Sequence, residues 1–168
     1  PSAPSSMPSP PVVVATALPS APSMPTTPTK NTGLGVARYV STRGSDGNSC
    51  ATAEAEGTSA KRNLNGTRGG IACLREGDTL LVQDGVYNEQ ICDSDPDHCP
   101  GFTRPPNGAS WTAPTVIKAQ NVRGATLNKA SDDDDLELVI NLSQASTQYV
   151  SIEDFVIDGR STGASCVW

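Results

Sequence analysis

The chain has 168 residues and carries 12 lysine and arginine residues against 18 aspartate and glutamate residues, a formal net charge of −6. This length allows one domain plus a tail, and an acidic chain with no lysine or arginine cluster excludes nucleic acid as a partner. No apolar run approaches the roughly 20 residues that a membrane-spanning helix needs, so we expect no membrane span.

The first part of the chain is dominated by proline and serine. Residues 1–30 hold nine of the 14 prolines and six serines. Proline removes a backbone donor and fixes φ, so this segment favours neither helix nor sheet. We interpret residues 1–35 as a disordered Pro/Ser-rich linker and residues 36–168 as the folded part.

The folded part begins with a short strand-like run at 36–40 and a polar loop at 41–50. Residues 51–74 carry a weak helical pattern, at 51–55 and again around Ile71. From Asp78 onward the pattern predicts short strands between polar turns. The predicted strands cover residues 79–83, 86–91, 114–119, 124–127, 136–142, 149–152 and 155–157.

The spacing of these strands recurs. Ile117 and Val139 lie 22 positions apart, and Leu127 and Ile152 lie 25 positions apart. A period in the low twenties built from short strands and tight turns indicates a solenoid. Aromatic residues make up 4% of the chain, so Val, Ile, Leu, Thr and Ala must fill the interior. This composition suits a narrow, layered β core.

The turn at Asp84-Gly85 allows two interpretations. It could close an antiparallel hairpin, or it could be a bend between two faces of one solenoid coil. The later strands favour the bend. We therefore expect Leu80–Val82 to pair in parallel with the region of Val116 or Ile117.

Several motifs resemble those of a known family. These are RYVSTRGSDGNSC at 38–50, GDTLLVQDGVYNE at 77–89, PTVIKA at 114–119 and IDG at 157–159. In this order they resemble the first coils of right-handed parallel β-helix proteins of the pectate-lyase-like superfamily, over about 130 residues from Tyr39 onward. The resemblance implies an all-β, right-handed parallel β-helix (solenoid) with a short N-terminal capping helix. Three coils leave one end of such a solenoid open, so we expect the chain to be the N-terminal part of a longer, truncated protein.

The resemblance also implies a function. It implies a secreted or surface-bound extracellular protein, a polysaccharide partner and a monomer. The expected activity is that of a polysaccharide lyase or glycoside hydrolase of acidic glycans, with catalytic residues beyond this fragment. Calcium is the cofactor that the resemblance implies, because related lyases often use it to neutralise uronate carboxylates. The alternative is a non-catalytic β-helix adhesin or carbohydrate-binding structural module, which the linker also fits.

Five cysteines are compatible with two disulfides and one further thiol, and they favour an exported protein. With the β-helix resemblance in view, Cys50 and Cys73 flank the capping segment. A bond between them would close a loop of about 24 residues and contribute roughly 3 kcal/mol. A second disulfide, between Cys92 and Cys99, would hold the loop that follows the first coil in place. Cys166 has no assigned partner.

Two aromatic residues and one acidic loop are the candidate binding residues. Tyr87 and Trp111 could stack on sugar rings, although Tyr87 also suits a packed corner of the first coil. Asp93, Asp95 and Asp97 form the D-x-D-x-D opening of an EF-hand calcium loop. His98 stands where that loop needs glycine, so a solvated acidic loop is the competing interpretation.

No catalytic residue can be assigned from the sequence. Asp154 and Asp158 could form the carboxylate pair of a glycoside hydrolase, but both also suit simple turns. Lys118 points outward on its predicted strand, where a single lysine usually serves solubility.

Overall fold

The computed structural model describes residues 35–93, 102–128, 139–142 and 146–159. Within these residues the chain forms nine short strands and three short 3-10 helices. The strands are β1 (Ala37–Val40), β2 (Thr79–Val82), β3 (Gly85–Asn88), β4 (Ile91–Cys92), β5 (Thr115–Ala119), β6 (Ala125–Asn128), β7 (Ile140–Asn141), β8 (Val150–Glu153) and β9 (Val156–Asp158), and the 3-10 helices are Thr52–Glu54, Gly57–Ser59 and Ile71–Cys73.

The strands form three sheets, and every strand pair in them is parallel. The first sheet has the order β1-β2-β5-β8, the second β3-β6-β9, and the third β4-β7. The chain visits the sheets in a fixed order: the first with β2, the second with β3 and the third with β4. The same order follows with β5, β6 and β7, and it begins again with β8 and β9. The described fold is therefore all-β, and strands from successive passes of the chain lie beside one another in parallel sheets.

The bend at Asp84-Gly85 is not a hairpin turn. Strands β2 and β3 on its two sides belong to different sheets. Leu80 pairs in parallel register with Ile117, which confirms the expected pairing. The predicted strand at 86–91 was too long: β3 ends at Asn88, and β4 begins at Ile91 in another sheet.

The core consists of stacked side chains from successive passes. Leu80, Ile117 and Ile152 share one row of the first sheet. Tyr87, Leu127 and Ile157 share one row of the second. These residues belong to one hydrophobic cluster, in which Leu80, Ile117 and Leu127 are fully buried. Side chains alternate between the two faces of a strand, so Val40, Val82 and Ala119 form a second buried row two positions along the first sheet.

The segment before β2 differs from the sequence prediction of a capping helix. It forms three separate 3-10 turns instead, and the described residues contain no α-helix. Glycines interrupt the segment: Gly57 and Gly66 have φ values of +67° and +82°. A left-handed backbone at these positions cannot continue a right-handed helix. We call residues 51–74 the capping segment below.

The capping segment covers the free edge of β1. Lys61 forms a parallel bridge with Val40. Its amide donates to the Tyr39 carbonyl at 2.9 Å, and its carbonyl accepts from the Ser41 amide at 2.8 Å. The segment therefore satisfies backbone groups that an open sheet edge would leave unpaired.

Arg38 joins the capping segment to the core. It is 7% exposed and occupies the row of Leu80. Its guanidinium donates to the carbonyls of Cys73 (2.8 Å) and Cys50 (2.7 Å) and to Glu54 Oε1 (2.8 Å). The buried Arg38 guanidinium thus binds residues near both ends of the capping segment. Its strand position lies beside Leu80, at the start of the hydrophobic row.

Candidate functional site

An exposed tryptophan marks the clearest surface feature. Trp111 lies in a tight turn in which the Ala109 amide donates to the Ala113 carbonyl. Its side chain is 71% exposed. The ring contacts Tyr149 edge to face, with centroids 5.5 Å apart and planes at 89°. Such an arrangement is a preferred geometry for two aromatic rings.

The two loops that carry these rings are bonded to each other. Asn107 Nδ2 donates to the Ser146 carbonyl at 2.9 Å, and Asn107 Oδ1 accepts from the Gln148 amide at 3.0 Å. The Gly108 amide donates to the Gln148 carbonyl at 3.2 Å. Arg104 Nη1 donates to Ser146 Oγ at 2.6 Å. These bonds fix the loop before β5 against the loop before β8.

A cleft of about 430 Å³ opens beside the aromatic pair. The lining residues that the structure describes carry no charge; they are Trp111, Leu142, Thr147, Gln148, Tyr149 and Val150. Thr147 Oγ1 is buried and has no hydrogen-bond partner among the described residues. The cleft therefore combines an aromatic surface with a threonine whose hydroxyl has no described partner to hold it in its buried position.

Tyr87, the other aromatic candidate, lies in the core. It is 3% exposed and packs in the main hydrophobic cluster. Its hydroxyl donates to the Gln83 carbonyl at 2.8 Å. Burial raises the pKa of Tyr87 to about 12. Its ring is not accessible for stacking on a sugar, which agrees with the packed-corner interpretation.

The acidic loop is described only at its first residue. Asp93 is 1% exposed, and its amide donates to the Asn141 carbonyl at 3.0 Å. Asp95 and Asp97 lie outside the described residues, so calcium binding there stays a prediction. Within the described ranges, no group of three or more His, Cys, Asp or Glu residues is placed to hold a metal ion.

A charged cluster lies on the outward face of the first sheet. Lys118 Nζ is 3.8 Å from Glu153 Oε2 and 3.5 Å from Asp154 Oδ2. All three side chains are at least one-third exposed, so solvent screens the pairs and each contributes less than about 1 kcal/mol. The sequence analysis missed this cluster because it needs the register of β5 against β8, which pairs Lys118 with Glu153.

The candidate carboxylates Asp154 and Asp158 belong to different parts of the third pass. Asp154 has a φ of +66° and lies between β8 and β9, where its carbonyl accepts from the Arg123 amide at 2.7 Å. Asp158 is the last residue of β9. Asp154 therefore has the turn role that the sequence also allowed, with its carboxylate directed to Lys118.

A second carboxylate with an unusual environment is Glu89, at the corner between β3 and β4. Its Oε2 accepts from the Asn65 amide at 3.0 Å. Burial raises the pKa of Glu89, an effect that hydrogen bonds from the Asn65 and Leu64 amides oppose. The sequence analysis did not predict the contact of Glu89 with Asn65, because it crosses 24 residues of chain.

The cysteines agree with the expectation where they are described. Cys50 and Cys73 form a disulfide, with Cα atoms 5.2 Å apart. Cys92 is also disulfide-bonded. Cys99 and Cys166 lie outside the described residues, so the pairing of Cys92 with Cys99 stays a prediction.

Comparisons of the chain with protein-family models, with curated proteins and with solved structures find no match. The part of the chain that the structure describes contains no helix long and apolar enough to cross a membrane.

Proposed function

We propose that this chain forms coils of a right-handed parallel β-helix, of the kind found in the pectate-lyase-like superfamily, and that this β-helix binds polysaccharide outside the cell. The observation that carries the proposal is the repeated passage through three parallel sheets, with Leu80, Ile117 and Ile152 in one register. Parallel strand connections are right-handed in nearly all known cases. The ordered motifs from Tyr39 to Gly159 support the same assignment.

The outer surface of such a solenoid suits an extended polymer. Equivalent residues of successive coils repeat at the strand spacing of about 4.8 Å, so they form rows. A repeating ligand can contact several members of one row. The exported character indicated by the Cys50–Cys73 disulfide is consistent with a substrate outside the cell.

Two observations favour two different roles for this surface. On the first sheet, Lys118 lies beside Glu153 and Asp154. A lysine among clustered acids supplies the residue types that a lyase or hydrolase of acidic glycans uses, so we propose an enzyme first. On the second sheet, Asn128 Nδ2 donates to Asn88 Oδ1 at 3.0 Å. This asparagine pair, which Asp158 follows in the same row, favours the second candidate, a non-catalytic adhesin or carbohydrate-binding module.

The experiment uses the 168-residue chain with polygalacturonate and alginate as acidic polymers and galactan and mannan as neutral ones. Binding is measured by affinity electrophoresis. Absorbance near 235 nm reports unsaturated lyase products, with and without calcium, and reducing-end release reports hydrolysis. Absorbance at 235 nm supports a lyase, and reducing ends without it support a hydrolase. Binding without either shows that the cluster of Lys118, Glu153 and Asp154 is not catalytic in this chain and leaves the adhesin as the better-supported role of this surface. Failure to bind any of the four polymers refutes the proposal.

A further inference from the structure

We propose that the cleft between Trp111 and Tyr149 binds one neutral sugar unit of a polysaccharide. This inference rests on the proposed function and deepens it by naming a site and the chemical class of the bound unit. It is carried by the exposed ring, the unpartnered hydroxyl and the uncharged lining of the cleft.

The exposure of Trp111 is the first argument. A tryptophan side chain that is 71% exposed leaves a large apolar surface in water. Its turn neighbours Ser110 and Thr112 are polar, and their hydroxyl oxygens are 2.9 Å apart. A single aromatic surface within a polar rim suits a ligand that has an apolar face and a hydroxyl edge. A pyranose ring has both, whereas a protein partner needs a broader apolar patch.

The unpartnered hydroxyl is the second argument. Thr147 lines the cleft, and its Oγ1 is buried without a hydrogen-bond partner among the described residues. A buried polar group without a partner is unfavourable unless a ligand or water satisfies it. A rotation of the Thr147 side chain toward the cleft would let a sugar hydroxyl donate to this oxygen or accept from it. The exposed residue Gln148 lies next to it and offers an amide to the same ligand.

The charge of the cleft selects the kind of sugar. None of the described residues that line it is charged. Arg104, which belongs to the same loop as Trp111, donates to Ser146 Oγ at 2.6 Å. A uronate carboxylate in this cleft would lose water without gaining a charged partner among its described lining residues. We therefore assign the cleft to a neutral unit.

The cleft is also held in shape. Tyr149 has a φ of +55°, a left-handed conformation that is unfavourable for a bulky residue. Its carbonyl accepts from the Thr115 amide at 3.0 Å, at the first residue of β5. A strained residue persists where the surrounding bonds fix it, and such positions concentrate at binding sites. The edge-to-face contact with Trp111 is then present before a ligand arrives.

The test measures binding of neutral galacto-, manno- and xylo-oligosaccharides, with oligogalacturonates as the acidic comparison. A Trp168→Phe background leaves Trp111 as the remaining one of the two tryptophans, so its fluorescence reports the cleft. We expect a neutral oligosaccharide to change this emission. Trp111→Ala should weaken its affinity by about tenfold or more, and Thr147→Val by a smaller factor. Val122→Ala, at an apolar residue that is 65% exposed and does not line the cleft, is the matched control and should change nothing.

The outcomes separate this inference from the proposed function. If the chain binds polysaccharide but Trp111→Ala binds as tightly as Val122→Ala, the cleft assignment is refuted and the proposed function stands. If oligogalacturonates bind the cleft more tightly than every neutral probe, its assignment to a neutral unit is refuted. If no polymer or oligosaccharide binds, both proposals fail. Far-UV circular dichroism and thermal unfolding of each variant establish that the fold is retained.

Discussion

Asp78 connects the start of the folded part to the end of the capping segment. Its Oδ1 accepts from the Val36 amide at 2.7 Å, and its Oδ2 accepts from the Arg75 amide at 2.9 Å. The residue is 4% exposed. Replacing Asp78 with alanine removes both acceptors at once and leaves two backbone donors that must find water.

The size of the effect follows from these two bonds. A hydrogen bond to a charged group contributes about 1.5–3 kcal/mol to folding stability. Both bonds are only partly buried, so the lower value applies to each. We therefore expect Asp78→Ala to lower the free energy of unfolding by about 3 kcal/mol. An asparagine side chain at this position would keep one carbonyl oxygen as an acceptor, so Asp78→Asn should lose roughly half of this amount. Arg38 Nε is 3.9 Å from Asp78 Oδ2 and adds little at that distance.

Urea unfolding of the 168-residue chain, followed by circular dichroism, measures these differences. Stability should fall in the order wild type, Asp78→Asn, Asp78→Ala, with an unchanged dependence on urea concentration. The exposed neighbour Glu76 supplies the control, since Glu76→Ala should change stability by less than about 0.5 kcal/mol. If Asp78→Ala were as stable as Glu76→Ala, the two hydrogen bonds would not be what joins the capping segment to β1 and β2.

Three further predictions concern register, pH and the disulfide. Val86 and Thr126 are direct partners on neighbouring parallel strands, whose spacing of about 4.8 Å suits a disulfide. Mild oxidation of the double variant Val86→Cys/Thr126→Cys should therefore form a disulfide, and peptide mapping that finds none would contradict the register. Burial raises the pKa of Glu89, so the fold holds its proton to a higher pH than the unfolded chain does. The stability of wild type relative to Glu89→Gln should therefore fall as pH rises from about 4 to about 7, and a constant difference would contradict this reasoning. The Cys50–Cys73 disulfide joins residues 23 positions apart. The double variant Cys50→Ala/Cys73→Ala should therefore have a free energy of unfolding about 3 kcal/mol lower than wild type in urea titrations. An unchanged value would argue against a structural role for the disulfide.

Much of the fold could be predicted because its signals are local. Strand alternation placed Leu80 and Val82 on one face, and both lie in the core. Parallel pairing was predicted correctly, and β2 pairs with β5 in that way. The predicted period in the low twenties was wrong, because Ile117 pairs with Ile152, 35 positions on, and Leu127 pairs with Ile157, 30 positions on. The capping segment was mispredicted because its helical residues are separated by glycines, which allow only single turns. The predicted strand at 86–91 ignored the corner at Glu89, where the chain leaves one sheet for another.

The candidate site was less accessible to sequence reasoning because its parts are distant in sequence. Trp111 was identified from residue type alone. Its contact with Tyr149 joins residues 38 positions apart and depends on pairing of the loops before β5 and β8. Lys118 and Glu153 are 35 positions apart and meet through the register of the same two strands. A correct prediction of how β5 pairs with β8 would have identified both the Trp111–Tyr149 contact and the Lys118–Glu153 contact.

The dependence of both surfaces on one strand pair has a consequence for ligand binding. The uncharged cleft lies where β5 and β8 begin, and the cluster of Lys118, Glu153 and Asp154 lies where they end. From Thr115 to Lys118 the strand rises about 10 Å. Val150, which lines the cleft, shares the core-facing side of β8 with Ile152, whereas Lys118 and Glu153 lie on the outward side. One polymer along a single face would therefore not contact both places, and the cleft and the cluster are separate sites. The described residues that line the cleft offer no charge to a carboxylate, so a neutral unit fits the cleft better than a uronate does.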